Sequence, residues 1–451
     1  MQTKHHTTNT FFKTVCSLAI PVTLQSVLQS SFSIVDQIMI GQLGSIPVAG
    51  VGLAAKFSSL YSVIISSVGA VAGIMIAQYI GQQNKSEIRR SFRFSLLLGC
   101  IIAGLFTLIC YLFPNPIMNL YTKDSETLLA AAEYLTLLSG TFLPLAGATL
   151  LSTLFRCAEK PGLPLCASLA SACTNTLLNY ILIFGKMGFP AMGAKGAAIA
   201  TVVAQWTNFL IMLCMFPKFR NLMPEPSKAS GDTKPFPLHK YMTILFPILA
   251  CELLWSLGEN VYAGIYGHMG TDACAAMTLL NPVQGIVIGA LCGLSQAAAI
   301  IIGKKLGTKD YDEAYTSAKK LVWYGIVGSL FLSFIVVLCS PFYVKIYQVD
   351  DSVKSLTTQI MIAYALVAPY KVLNMIVGAG IIRSGGRTKY VMYIDIIGTW
   401  CLGVPLGLLA AFVWNLSIPY VYFILSLEEA VRFIFSLYVL KSRKWMDSLE
   451  D

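Results

Sequence analysis

Apolar stretches long enough to cross a bilayer follow one another along the whole chain, separated by short polar connections. A helix needs about 20 apolar residues to span a hydrocarbon core of roughly 30 Å. The pattern predicts twelve such helices, near 14–40, 47–80, 94–113, 127–155, 162–184, 195–216, 240–266, 273–303, 319–340, 355–382, 390–412 and 418–440. Several exceed the minimum length, so they tilt or project beyond the membrane. The first is also periodic in its polar residues. In QSVLQSSFSIVDQIMIGQLG, Gln25, Gln29, Ser33 and Asp36 follow at spacings of four, four and three, which sets all four on one helical face. A carboxylate inside a span costs roughly 3 kcal/mol or more unless it faces protein or water. Asp36 is therefore the first functional candidate.

The pattern is written twice. Pro21, Gly41, Gly44 and Gly81 recur 226 residues later as Pro247, Gly267, Gly270 and Gly307, and Arg156 in FRCAEKPG recurs 227 residues later as Arg383 in IRSGGRTK. Residues 1–216 then form one six-helix lobe and residues 241–451 a second, joined by a polar, proline-containing cytoplasmic linker over 217–240. Because six is even, both lobes enter the membrane in the same sense, related by a pseudo-twofold axis along the membrane normal. An all-α polytopic membrane protein of twelve transmembrane helices in two six-helix lobes has the plan of an alternating-access carrier. The second helix of each lobe holds a GxxxG pair, Gly69 with Gly73 and Gly289 with Gly293, which permits close helix packing. IGQQNKSE and LGTKDYDE, which follow those helices, read as equivalent cytoplasmic loops.

Composition agrees: 56% apolar and 12% charged residues leave too little polar surface to cover a soluble globule. Most of the 32 Lys and Arg fall in segments that are cytoplasmic when the N-terminus is inside, among them Lys85, Arg89, Arg90 and Arg93. This positive-inside bias puts both termini in the cytoplasm, and the inner cell membrane is the expected location. It also accounts for the net charge of +10 without a nucleic-acid partner. No small-residue cleavage site follows the first apolar run, which reads as a retained helix. The 12 cysteines lie mainly in spans and form no CxxC pair, so they read as small core residues rather than a disulfide frame or metal site. A monomer in the lipid bilayer, handling a small molecule, is expected.

The second lobe has its own intramembrane charges. Glu252, Ser256 and Glu259 share a face of the seventh helix and, at the spacing of 226, fall on Ser26, Ser30 and Ser33. Glu252 and Lys371 both come out near mid-membrane and are expected to pair. Glu428 and Arg432, four apart, read as a local helix pair, and Asp395 is a further carboxylate. In the first lobe, Lys56 either pairs with Asp36 or snorkels outward. Asn175 and Asn179, one turn apart, read equally as interhelical glue or, beside a carboxylate, as neutral ligands for a small cation or members of a proton relay. A membrane-embedded enzyme finds little support: there is no HExxH and no phosphate-binding loop. A flippase of lipid-linked precursors stays open through Lys371, since it would need a more cationic cavity.

VDQIMIGQLG in the first helix, the FRCAEKPG and IRSGGRTK loops, the block NTLLNYILIFGKMGFPAMGAKGAAIAT and the duplicated plan together resemble the multidrug and toxic compound extrusion family, MATE, over nearly the whole chain. The resemblance implies a two-lobed antiporter that expels amphipathic, commonly cationic, organic molecules in exchange for protons or sodium ions, with no other cofactor. It assigns Asp36 as the first-helix carboxylate that binds the coupling ion, with Asn175 and Thr201 in the same polar cluster. Asn179 stands where a familiar NxxxD pattern has aspartate, which removes one negative charge. Glu252 lies in the helix where many members place a coupling glutamate, and Asp395, Lys371 and Glu259 are further second-lobe candidates.

Overall fold

The computed structural model describes residues 2–217, 219, 237–345, 347 and 350–449. Twelve long helices follow in order: α1 Gln2–Gly41, α2 Ser45–Gly81, α3 Lys85–Leu112, α4 Ser125–Cys157, α5 Gly162–Phe184, α6 Ala194–Met215, α7 Leu238–His268, α8 Thr271–Gly307, α9 Tyr311–Val344, α10 Asp351–Gly385, α11 Thr388–Val413 and α12 Ile418–Ser442. There is no strand among the described residues. The first 11 are long and apolar enough to cross a membrane. The last matches them in length but carries Glu428, Glu429 and Arg432 within its apolar run. The chain is thus a multi-pass membrane protein, and α3 shows why: Leu97, Ile101, Leu105 and Leu108 stand exposed along one face while Phe92, Ser95, Gly99 and Ala103 are buried along the other. Such an apolar outer stripe suits hydrocarbon, not water.

Repeat-related junctions are built alike. Gly44 and Gly270 precede α2 and α8 at φ 97° and 118°, where a side chain would be strained. Gln83 and Lys309 are left-handed at 56° and 60°, and Asn84 and Asp310 then cap α3 and α9 by accepting from the Glu87 and Glu313 amides at 3.2 and 3.0 Å. The first glycine pair acts as expected: a Cβ on Gly69 would meet the Thr149 methyl at 3.0 Å and one on Gly73 the Thr153 methyl at 3.2 Å, so α2 lies close on α4.

The chain divides into two compact units, Leu24–Pro237 and Met1–Thr23 with Leu238–Asp451. The sequence places residues 1–216 together, but the N-terminal part of α1 packs on the second half. Thr23 Oγ1 donates to the Ala290 carbonyl at 3.0 Å, Gly293 leaves no room for a Cβ against the Ala19 carbonyl, and Phe12 meets the Tyr324 ring edge-on. The linker expected over 217–240 lies for the most part outside the described residues.

Regular helix gives way at three places to wider π turns: Met375–Ile382 in α10, and Ile396–Gly403 and Leu409–Val413 in α11. The cysteines are free thiols, but six of them, Cys166, Cys173, Cys214, Cys274, Cys339 and Cys401, are exposed. The expectation of core packing is corrected here, because a thiol is apolar enough to face lipid.

Candidate functional site

In the first-half unit, α5 and α6 are drawn together where Gly196 faces the Leu182 carbonyl, with room of only 2.8 Å for a Cβ. That approach sets Thr201 of α6 opposite Asn175 of α5, whose Nδ2 donates to Thr201 Oγ1 at 3.4 Å. One turn on, Asn179 is fully buried, and its Nδ2 donates both to Asn175 Oδ1 at 3.2 Å and to Asp36 Oδ1 of α1. Asp36, Asn179, Asn175 and Thr201 thus form one hydrogen-bonded chain across three helices. Asn179 Oδ1 finds no donor among the described residues. Lys56 is exposed and makes no ion pair among the described residues, so Asp36 is held by an amide, not by an ammonium.

Asp36 opens on a cavity of about 210 Å³, together with Gln29, Ser33, Ser168, Ser171, Asn175, Thr201, Gln205 and Asn208. Its polar lining is amide and hydroxyl apart from the one carboxylate. Gln25, the fourth member of the α1 polar face, is buried elsewhere and accepts from Arg156 Nη2 at 2.9 Å. Sequence reading missed five contributors, Ser168 and Ser171 of α5 among them. Tyr134 of α4 is buried, close to Thr201 and within electrostatic reach of Asp36. Gln205 and Asn208, four and seven residues after Thr201, carry that helix face along the cavity, a spacing that was available to find them.

The second unit holds its charges in pairs, but not the expected ones. Lys371 lies 3.6 Å from Glu259, whereas Glu252 accepts from Arg383 Nη1 at 2.8 Å. The two glutamates are seven residues apart on α7 and point to different neighbours, which similar depth along the membrane normal did not separate. Arg432 likewise bonds Glu429 at 3.4 Å and Asp395, rather than Glu428. Cys251 Sγ donates to Asp395, and Asn374 Nδ2 donates to both the Glu429 carbonyl and its Oε2 at 2.8 Å. Glu252, Lys371, Asp395, Glu429 and Arg432 border one cavity of about 290 Å³. Glu259, Lys371 and Glu428 border another of about 160 Å³, with Tyr262, Tyr266 and Tyr422.

The sequence pattern of the MatE family matches twice, over residues 21–181 and 247–409. The uncharacterized transporter YisQ of Bacillus subtilis is 20% identical over 430 residues, covering 95% of this chain and 94% of its own. The probable multidrug resistance protein NorM of Pasteurella multocida is 25% identical over 413 residues, covering 88% of this chain and 85% of its own. Among solved structures, a mutant of the Vibrio cholerae MATE transporter VcmN aligns with a TM-score of 0.87 at 17% identity, over 97% of this chain and 99% of that one.

Proposed function

The chain belongs to the MatE family, and on that premise we propose that it is a secondary antiporter that exports amphipathic organic cations in exchange for protons or sodium ions. Relatives named as multidrug resistance proteins support the export of drugs. The observation that carries the coupling reading is Asp36: a single carboxylate, held by Asn179, facing a cavity otherwise lined by neutral polar groups. In such surroundings one bound cation changes the site from charged to neutral, and a two-state protein responds to whatever binds one state better. Asn175, Asn179 and Thr201 orient the carboxylate and offer oxygens to a sodium ion; a proton needs Asp36 alone. The protein acts as a monomer in the inner membrane with both termini in the cytoplasm. The lipid-flippase reading loses its support, since Lys371 is neutralised by Glu259.

The test is uptake of a lipophilic organic cation, followed by fluorescence in inside-out vesicles under an imposed proton gradient and, separately, a sodium gradient. Wild-type protein is expected to accumulate the dye with one of the two ions, and Asp36→Asn to lose that accumulation. Uptake unchanged in Asp36→Asn would remove Asp36 from the coupling path and move the search to Glu252 and Asp395.

A further inference from the structure

The repeat puts an arginine at the same place in each unit. Arg156 lies in the last turn of α4, and Arg383 opens the tight turn Arg383–Gly385 that ends α10. Arg156 Nη2 donates to Gln25 Oε1 of α1 at 2.9 Å, and Arg383 Nη1 donates to Glu252 Oε1 of α7 at 2.8 Å. In both cases the acceptor lies 131 residues before its arginine. The same bond is therefore made to an amide in one unit and to a carboxylate in the other. Glu252, which the spacing of 226 set on Ser26, stands structurally where Gln25 does.

The register of 227 extends further. Ser168 corresponds to Asp395, Thr201 to Glu428 and Gln205 to Arg432. In the second unit two of those positions join in an ion pair, Asp395 with Arg432, and Arg432 also pairs with Glu429, the neighbour of Glu428. In the first, Ser168 donates to the Leu165 carbonyl of its own helix at 3.0 Å and makes no ion pair among the described residues. At these positions the second unit is braced by ion pairs and the first carries only neutral acceptors and hydroxyls. Both arginine bonds are assisted by the guanidinium charge, but only Arg383 meets an opposite charge, and separating an enclosed ion pair strands both charges.

We propose that Arg156 and Arg383 are repeat-related positioning residues that latch the first helix of their unit to the end of its fourth, and that the Arg156–Gln25 latch, whose acceptor is a neutral amide, releases during transport while the ionic Arg383–Glu252 latch holds. This rests on the transporter reading above. Gln25 and Asp36 share one face of α1, about 16 Å apart at 1.5 Å per residue. A shift of that helix at the ion site therefore reaches the latch through a single rigid element.

The experiment is hydrogen exchange of the full chain in lipid nanodiscs, followed over residues 22–33, together with ethidium uptake kinetics. Local opening sets the exchange rate, so a stronger latch slows it. Gln25→Glu, which makes the first latch ionic, is expected to slow exchange about tenfold and to lower the maximal uptake rate with KM for ethidium unchanged. Arg156→Gln is expected to speed exchange, and Gln25→Glu on that background to change neither quantity, as a cycle through one contact requires. Arg383→Gln is expected to speed exchange over residues 248–260 by a larger factor than Arg156→Gln does over 22–33. Wild-type exchange in Gln25→Glu, or an effect of equal size with and without Arg156, overturns the proposal. Exchange needs no transported probe: a wild-type protein that moves no ethidium counts against the transporter reading, and the exchange cycle still decides the latch.

Discussion

Asn179 governs what Asp36 can do, because its amide is divided between the carboxylate and Asn175 Oδ1. Removing that donor strips Asp36 of a hydrogen bond to a charged group, worth about 1.5–3 kcal/mol. Asn179→Leu should therefore slow gradient-driven uptake at least tenfold. Thr201→Ala, which removes a bond of 3.4 Å, should slow it less than threefold. Initial rates at a fixed gradient separate the two, and equal losses would mean that the chain of bonds does not order the site. Asp36 was legible in the sequence because one acid in an apolar run is costly wherever it lies. Tyr134 was not, since a tyrosine in a span carries no such cost until packing brings its hydroxyl beside Thr201. The partner of Lys371 was missed for a different reason: position along a helix axis was read, but the direction of each side chain around α7 decides between Glu252 and Glu259.

Helix positions could be read almost entirely from length and hydropathy, which the bilayer imposes on any span. The π turns in α10 and α11 could not, because residues in a wide turn look like helix residues in composition. Packing between elements hangs on smaller features, and Gly196 is one. A Cβ there would press on the Leu182 carbonyl at 2.8 Å, forcing α5 from α6. Gly196→Ala is expected to cost about 1–3 kcal/mol, the range for overpacking, seen as a lowered Tm in detergent. Gly104→Ala on α3, where a Cβ meets nothing within 4 Å, should not lower Tm, since alanine is the better helix former.

Outside the membrane, the cap of α4 sets a pH dependence at the same scale. Asp124 accepts from the Thr127 amide at 3.0 Å, and the hydrogen bonds to Thr127 hold its carboxyl below the usual range. A carboxyl depressed in the folded state stabilises above its unfolded pKa of about 3.9, and that contribution is lost as pH falls through the lower folded value. Exchange of the first-turn amides of α4, corrected for intrinsic rates, should accelerate only below about pH 4. In Asp124→Ala it should be fast at every pH.

For the molecule as a whole, the repeat preserves helices and junctions but not charge. Five pairs of positions at a spacing of 227 keep arginine once, Arg156 with Arg383, and exchange neutral for ionised residues in the other four. If the second unit's charges brace it, they must be removed together. Arg432→Gln alone leaves Asp395 and Glu429 enclosed without their cation, a loss of about 3–5 kcal/mol for a broken buried pair. Arg432→Gln with Asp395→Ser installs the residues that the first half uses at the same positions, Gln205 and Ser168, and leaves Glu429 the amide of Asn374. The double variant should melt above Arg432→Gln by more than about 1 kcal/mol of recovered stability, the non-additivity of residues in one network. A double variant no more stable than the sum of its singles would show that each charge acts alone. Recovery of stability together with retained uptake would assign those charges to structure, and the work of binding the coupling ion would then fall on Asp36.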